Sequence, residues 1–475
     1  MVTIGLTGSI RNIFTAKESG PSVPWSIFLA KGEPTTGHGQ CAQGKGLMSR
    51  LTVSWDERLV GYLYPEEDNL VVFEYADSWL SQGFTAISLS LPTEMKKHGP
   101  ERSTNFFRNL LIEGPAYWAI MDKTSFDDNV LYDYLTTYGL DCAGALSIGP
   151  EGWEDLRPAS AYRDVTDQLE ALAAKSFKDR PPLLKGLGAK LSIAGAQDKI
   201  PLYTKNDRFY LPEDGSNSPT TIIMKIQSDN YKFLVENEYF CLNLADSIGL
   251  SVTKSKIITI ENTNVLILER YDRAKTEDGT IIRLHQEDFC QALNISPQRK
   301  YEEQNGPNFK KCTDLILNSQ LNNKYLDLEN FIKASIFNYI IGNCDAHGKN
   351  YSIIYDNKLT GKRLAPFYDI LSTLSYPNLD NNFAMKYGDK NKLYKIKSEE
   401  WIKFANDVRI STVDISMTIK NIIKDILNKV DCCLNEILII NRSADIFFDS
   451  LYKNICKSIF MLEKEAETIG LNARK

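Results

Sequence analysis

The sequence predicts an α+β fold in which a small β-rich amino-terminal domain precedes two lobes, the second of them mainly helical. Three observations carry this reading. Short strand-forming runs open the patterned chain at Leu51. Strands return from Lys190 to about Glu261 around one amphipathic helix, and from Glu287 onward the apolar spacing follows the helical period. At 475 residues and 43% hydrophobic content, the chain is long enough for two or three packed units.

The elements follow in order. Residues 1–47 read as a flexible amino-terminal extension, since Gly32 to Gly46 is rich in Gly, Thr and Gln and has no apolar periodicity. They lack the basic and apolar regions of a signal peptide, and translation is expected to start naturally at Met48. Residues 48–150 form the first domain: strands L-T-V-S-W, R-L-V-G-Y-L-Y and L-V-V-F-E-Y, helices at Asn105 to Leu111 and Val130 to Tyr138, then the Gly-punctuated run D-C-A-G-A-L-S-I-G-P. A polar connector, 151–188, is marked at its far end by Pro181 and Pro182. Residues 189–286 form a strand-rich lobe with a helix at Val235 to Ile248. Residues 287–475 form a helical lobe, including Phe331 to Asn343, Ile415 to Asn428 and Ala444 to Lys464.

Composition narrows the function classes. A formal net charge of -6 disfavours a protein whose whole surface grips nucleic acid, which leaves DNA contact as a local question. The nine scattered cysteines form neither a zinc pattern nor a secreted disulfide framework; they are expected to be reduced, mostly buried and in a cytoplasmic setting. No stretch reaches the roughly 18 apolar residues of a membrane span, so no membrane partner is expected.

The chemistry concentrates in one loop. The apolar helix F-I-K-A-S-I-F-N-Y-I-I-G ends at Gly342, and N-C-D-A-H-G-K-N follows before the strand Y-S-I-I-Y. Asp345 and Asn350 therefore stand in the D-x-x-x-x-N spacing of kinase catalytic loops, where the carboxylate orients an attacking hydroxyl and the amide oxygen binds metal. Nineteen residues on, L-A-P-F-Y-D-I reads as an apolar strand that delivers Asp369 into a turn, as a hard ligand for Mg²⁺ or as an ordinary turn or cap residue. Upstream, T-I-I-M-K-I places Lys225 in an apolar strand, to meet phosphate oxygens or to snorkel from an edge. Glu236 or Glu238 on the next helix would orient it. Backbone groups of Glu269, Arg270 and Tyr271 could form an adenine-binding hinge, while Asp272 and Arg273 could equally be a surface ion pair.

At K-L-S-I-A-G-A-Q-D-K the chain resembles the S-[IV]-A-G-A-Q-[DE]-K signature of the HipA family of toxin kinases. The same order continues through T-I-I-M-K-I, V-E-N-E-Y-F-C-L-N-L-A, L-E-R-Y-D-R, L-H-Q-E-D-F-C-Q-A-L, D-A-H-G-K-N and P-F-Y-D-I, so the resemblance runs from Met48 to the carboxy terminus. It implies a bilobal protein-kinase-like fold of the HipA type and a serine/threonine protein kinase toxin using ATP and Mg²⁺. It implies that Ala194, Gly195, Ala196, Gln197, Asp198 and Lys199 contact the nucleotide phosphates, that Lys225 reaches them too, and that Glu269 to Tyr271 meets adenine. In the same reading Asp345 is the catalytic base, Asn350 and Asp369 bind Mg²⁺, and His347 and Lys349 assist at the nucleotide. Ser192 matches the serine whose autophosphorylation silences related proteins, as a phosphoserine would repel nucleotide phosphates; read from the residues alone it is a turn or cap position.

The resemblance further implies a HipB-like helix-turn-helix antitoxin as partner, a protein substrate with an aminoacyl-tRNA synthetase as the family's example, and DNA reached only through the antitoxin complex. Lys386, Lys390, Lys392, Lys395 and Lys397 fall where such proteins approach DNA, and otherwise form a solvated face. The sequence departs from eukaryotic-type kinases: N-C stands before Asp345 instead of H-R, and no D-F-G stands at Asp369. Two other readings remain open here, a non-catalytic corepressor acting with an antitoxin and a small-molecule phosphotransferase.

Overall fold

The computed structural model describes residues 50–113, 130–153, 161–175, 183–188, 198–216, 218–227, 231–356 and 361–472. The extension to residue 47, Met48, and the loop holding Ser192, Ala194, Gly195, Ala196 and Gln197 lie outside them.

The amino-terminal unit is built on β1 (Leu51–Trp55), β2 (Arg58–Glu66), β3 (Leu70–Tyr75), β4 (Lys97–His98) and β5 (Leu146–Pro150), in the order β4-β3-β2-β1-β5. Neighbouring strands are antiparallel, and β1 pairs on one side with β2 and on the other with β5. A helix at Pro100–Arg108 covers β3, where the Ser103 and Thr104 hydroxyls accept hydrogen bonds at 3.0 Å from the amides of Phe73 and Val71. This helix begins earlier than the Asn105 start expected from spacing, because Pro100 occupies its first turn, where a missing amide costs nothing. The expected helix at Val130–Tyr138 is present with those bounds.

The second sheet runs β10-β11-β9-β7-β8-β6, with β6 at Tyr162–Asp164, β7 at Lys199–Lys205, β8 at Arg208–Pro212, β9 at Ile222–Ile226, β10 at Ser255–Ile260 and β11 at Thr263–Glu269. Strand β9 pairs with both β11 and β7, so Lys225 stands on a central strand and not at an edge. That arrangement rules out snorkelling: Lys225 is 2% exposed. The helix Leu234–Ser247 follows β9, close to its expected bounds.

Asp272 and Arg273 do not form a surface pair. Both side chains are buried, because Asp141 of the amino-terminal unit gathers Arg270 (3.3 Å), Arg273 (2.8 Å) and Arg283 (3.1 Å) around one carboxylate, while Asp272 pairs with Arg270 at 2.7 Å and Arg273 at 3.0 Å. The cationic neighbours outweigh burial and hold the Asp141 carboxyl far below its usual range. This knot ties the first unit to the second.

In the helical lobe, the helix Lys324–Ile341 is buried over most of its length and stops at Gly342, whose φ of +71° is the left-handed cap that glycine adopts without strain. Two long helices, Thr412–Ile440 and Asp445–Asn472, pack on each other and on it. Both outrun the expected spans. Thr412–Ile440 contains neither Gly nor Pro to end it sooner. A small sheet of β12 (Gln286–Asp288), β13 (Ser352–Tyr355) and β14 (Lys362–Leu364) holds the far side of the loop after Gly342. The strand expected through L-A-P-F-Y-D-I stops at Leu364; beyond it only one parallel bridge remains, Val252 with Phe367, and Asp369 follows at φ +52°. A strand geometry is replaced there by a left-handed turn that Asp tolerates better than most residues.

Candidate functional site

The loop Asn343–Asn350 is fixed from both ends. The Asn343 side chain donates to Asn338 (3.1 Å) and accepts from the Asp345 amide (3.2 Å), while the Cys344 amide donates to the Thr373 hydroxyl at 2.7 Å. The chain closes into a 3-10 turn over Gly348–Asn350, where a side chain at Gly348 would meet Pro307 at 2.4 Å. Asn350 donates through its amide nitrogen to the Asp345 carbonyl at 3.1 Å, which commits the nitrogen and leaves the oxygen as the atom suited to a cation.

Around this loop a cavity of about 220 Å³ is lined by Lys199, Lys225, Glu269, Asp345, Asn350 and Asp369, among others. Register explains the two lysines: Lys199 is the direct partner of Lys225 across β7 and β9, so both ammonium groups project from one face. Like charges directly opposite in a sheet destabilise unless anions meet them. Lys225 has two: Glu238 on the helix Leu234–Ser247 at 2.7 Å, and Asp369. Of the two carboxylates considered for it, Glu238 is the one in contact. Glu236 instead accepts from Asn264 (2.8 Å) and Asn441 (2.7 Å). Burial opposes the Lys225 charge, but Asp369 and Glu238 outweigh it and raise the lysine pKa, while the Asp369 carboxyl, against its own desolvation, is held low by Lys225 and Lys199. Burial pushes Lys199 down to about 8, opposed by Asp369 and reinforced by Lys225.

Asp345 carries a hydrogen bond of 2.5 Å from the Tyr301 phenol, and its pKa is raised, first by desolvation. The Tyr301 ring lies edge-on to His347 at 5.1 Å. His347 is buried, with Nδ1 unpartnered, and desolvation keeps its imidazole neutral, with a pKa well below the usual value. Lys349 is buried and turned toward the amino-terminal unit, where it meets the Asn109 carbonyl at 3.0 Å and Glu113 at 2.8 Å. Among the expected hinge groups, the Glu269 amide donates to Lys254 and the Arg270 amide to Thr221, both at 2.9 Å, and the Arg270 guanidinium belongs to the Asp141 knot. Asp198, just ahead of β7, accepts from the Leu183 amide at 2.9 Å.

Tyr301, Lys300 and Glu113 are site residues the sequence reading missed. A polar Lys-Tyr pair between two short turns carries no spacing signal, and Glu113 comes from the far end of the chain.

Could these residues hold Mg²⁺ and a nucleotide? Among the described residues no group of three or more His, Cys, Asp or Glu is arranged to hold a metal on its own. Asn350 and Asp369 offer one amide and one carboxylate, a donor set that suits a hard cation whose remaining ligands are phosphate oxygens and water. Two ammonium groups facing the same space are what such phosphates need, so the residues fit.

Comparison with known proteins gives the family and the fold. The HipA N-terminal domain model matches residues 51–149 and the HipA-like C-terminal domain model residues 191–432. A Sinorhizobium fredii protein named "Putative kinase Y4mE" is 33% identical over 405 residues, covering 84% of this chain and 94% of that one. The serine/threonine-protein kinase toxin HipA of Shewanella oneidensis is 28% identical over 341 residues, 67% of this chain and 75% of its own. In fold, the chain is similar to HipA of Shewanella oneidensis MR-1 solved with HipB and operator DNA, with a TM-score of 0.73 at 22% identity over 88% of this chain and 99% of that one. The bilobal α+β kinase-like architecture is therefore shared, and with a family model spanning half its length and a relative 33% identical across most of it, this chain belongs to the HipA family.

Proposed function

We propose that this chain is a Mg-ATP-dependent serine/threonine protein kinase that acts as the toxin of a toxin–antitoxin module. The observation that supports it best is the pairing of Lys199 with Lys225 across β7 and β9, facing Asp369 in the cavity that Asp345 and Asn350 also line. A corepressor without catalysis would have no use for a second buried ammonium, Lys199, beside the Lys225 that Glu238 and Asp369 already meet, a charge that is costly unless further anions are bound.

Bound Mg-ATP would supply the transferable phosphoryl group and the metal charge that offsets its oxygens. The chain's own residues do the rest. Lys225, oriented by Glu238, and Lys199 bind phosphate oxygens; Asn350 and Asp369 hold the metal. Asp345, with Tyr301 donating to it, accepts the proton of a serine or threonine hydroxyl and orients it for attack. Adenine binding falls to the backbone of Glu269 to Tyr271, where the Glu269 and Arg270 amides already donate within the fold and their carbonyls already accept from the Thr253 hydroxyl at 2.8 Å and the Arg273 amide at 3.2 Å, so that each carbonyl would use its second lone pair. The segment Ala194 to Gln197 would cover the phosphates, and phosphorylation of Ser192 would silence the enzyme by repulsion. A HipB-like antitoxin is the expected partner, by analogy with the Shewanella complex, with DNA reached through it. The aminoacyl-tRNA synthetase target rests on the family alone. Eight free cysteines among the described residues suit a reducing, cytoplasmic setting.

The test is incubation of the purified protein with labelled Mg-ATP, alone and with cell extract, beside Asp345→Asn and Ser192→Ala. Label on protein that Asp345→Asn loses by about 10²- to 10⁴-fold supports the kinase. No label in the wild type overturns it, label only on a small molecule favours a metabolite kinase, and unchanged self-labelling in Ser192→Ala removes the silencing site.

A further inference from the structure

Glu113 lies in the amino-terminal unit, yet it stands in the cavity with Asp345. Its two carboxylate oxygens are divided between two cations: Lys300 at 2.7 Å and Lys349 at 2.8 Å. Both lysines belong to the machinery around Asp345. Lys349 is part of the D-A-H-G-K-N loop, one residue before Asn350. Lys300 precedes Tyr301, whose phenol donates to Asp345, and the Lys300 carbonyl accepts the Gly348 amide at 3.3 Å. The same stretch of the amino-terminal unit adds the Asn109 carbonyl, 3.0 Å from the Lys349 ammonium. The other carboxylate near Lys349, Asp288, is farther away at 3.9 Å, and burial pushes it up to about 6, so it is the weaker counter-charge. Glu113, by contrast, is held ionised against its own burial by Lys349 and Lys300.

Without Glu113, two ammonium groups would face each other in a mostly dry space beside Asp345. They would separate or rehydrate, and the loop and Tyr301 would move with them. We propose that Glu113 is a positioning residue for phosphotransfer: by bridging Lys300 and Lys349 it sets the Asp345–Asn350 loop, so that the site is complete only while the amino-terminal unit is docked on the helical lobe. This gives the first domain a part in the chemistry itself. It rests on the phosphotransferase reading of the loop, but the bridge can be tested without it.

The experiment compares wild type, Glu113→Gln, Glu113→Asp, Lys349→Met and the Glu113→Gln/Lys349→Met double variant as full chains. Hydrogen–deuterium exchange of residues 343–350 without nucleotide reads the clamp, and steady-state phosphorylation reads the reaction. Glu113→Gln should exchange faster in that segment and lose about 10- to 100-fold in kcat, with KM for ATP within about twofold. Glu113→Asp should recover part of the loss, and the double variant should be no worse than Lys349→Met alone. Unchanged exchange, an unchanged or raised kcat, a loss confined to KM for ATP, or multiplicative effects in the double variant would each overturn the proposal. If Glu113→Gln does not fold, Lys300→Met breaks the same bridge from the other side and is read by the same criteria. A wild type that transfers no phosphate refutes the kinase reading, while the exchange comparison still decides the clamp.

Discussion

Among the described residues, replacing Lys225 by Met removes the cation paired with Glu238, whose side chain has no exposure, and it also takes a partner from Asp369, which is about one-third exposed. Stranding one member of a buried pair costs about 3–5 kcal/mol. Two features reduce that figure here: Asp369 regains water, and Lys199, the cross-strand neighbour, remains on the same face. A loss of about 3 kcal/mol at pH 8 follows. The loss should depend on pH in a definite direction. Glu238 already has a raised pKa, first through desolvation and against the pull of Lys225; removing Lys225 raises it further. A carboxyl whose folded pKa exceeds its unfolded value costs nothing below the unfolded value and destabilises increasingly as pH rises past it. The variant should therefore be closer to wild type at pH 5 than at pH 8. Urea unfolding followed by far-UV circular dichroism at both pH values measures this. A loss below about 1 kcal/mol at pH 8, or one that does not change with pH, refutes the account of Lys225 as a buried ammonium held by two carboxylates.

Other outcomes are expected from the same geometry. With Lys199 pushed down to about 8, nucleotide affinity measured by calorimetry should fall between pH 7 and 9 as the ammonium loses its proton, and Lys199→Met should flatten that dependence. Asp141→Asn leaves three arginines without their shared carboxylate and should cost about 3–5 kcal/mol, seen as earlier proteolytic release of the amino-terminal unit. Gly342→Ala forces a side chain into a left-handed backbone and to within 2.6 Å of Leu374, so a stability loss of at least about 1–2 kcal/mol is expected in thermal melts, with no change in KM for ATP. Asp369→Asn should raise the Mg²⁺ concentration for half-maximal phosphorylation while leaving the fold intact.

Much of the site was legible because its parts are local in sequence. Asp345 and Asn350 share one loop, Gly342 announces the end of the helix before it, and a lysine inside T-I-I-M-K-I is conspicuous in an apolar run. The parts that were not legible are contacts between distant segments. Tyr301 lies 44 positions from Asp345, and Asn109 lies 240 from Lys349, so neither pair has a spacing to read. Asp272 and Arg273 looked like surface residues because their burial depends on Asp141, which only the docked amino-terminal unit provides. The far ends at Ile440 and Asn472 were legible but not followed: the buried apolar stripe runs on at helical spacing through Val430, Cys433 and Ile437 in one helix and through Leu462, Ala466 and Ile469 in the other.

Strand β7 also works as a ruler. Its first residue is Lys199, and the next inward-facing positions, Ile200 and Leu202, are fully buried on the opposite face from the cleft. Because side chains alternate with a period of two, sliding β7 by one position would bury the ammonium in the core and deliver an isoleucine to the phosphates, while most of the ladder hydrogen bonds could re-form. The grip of Ile200 and Leu202 on the core thus sets the phase of the cation, and a single-residue deletion between Asp198 and Pro201 would be a frame error in the cleft that leaves the sheet standing.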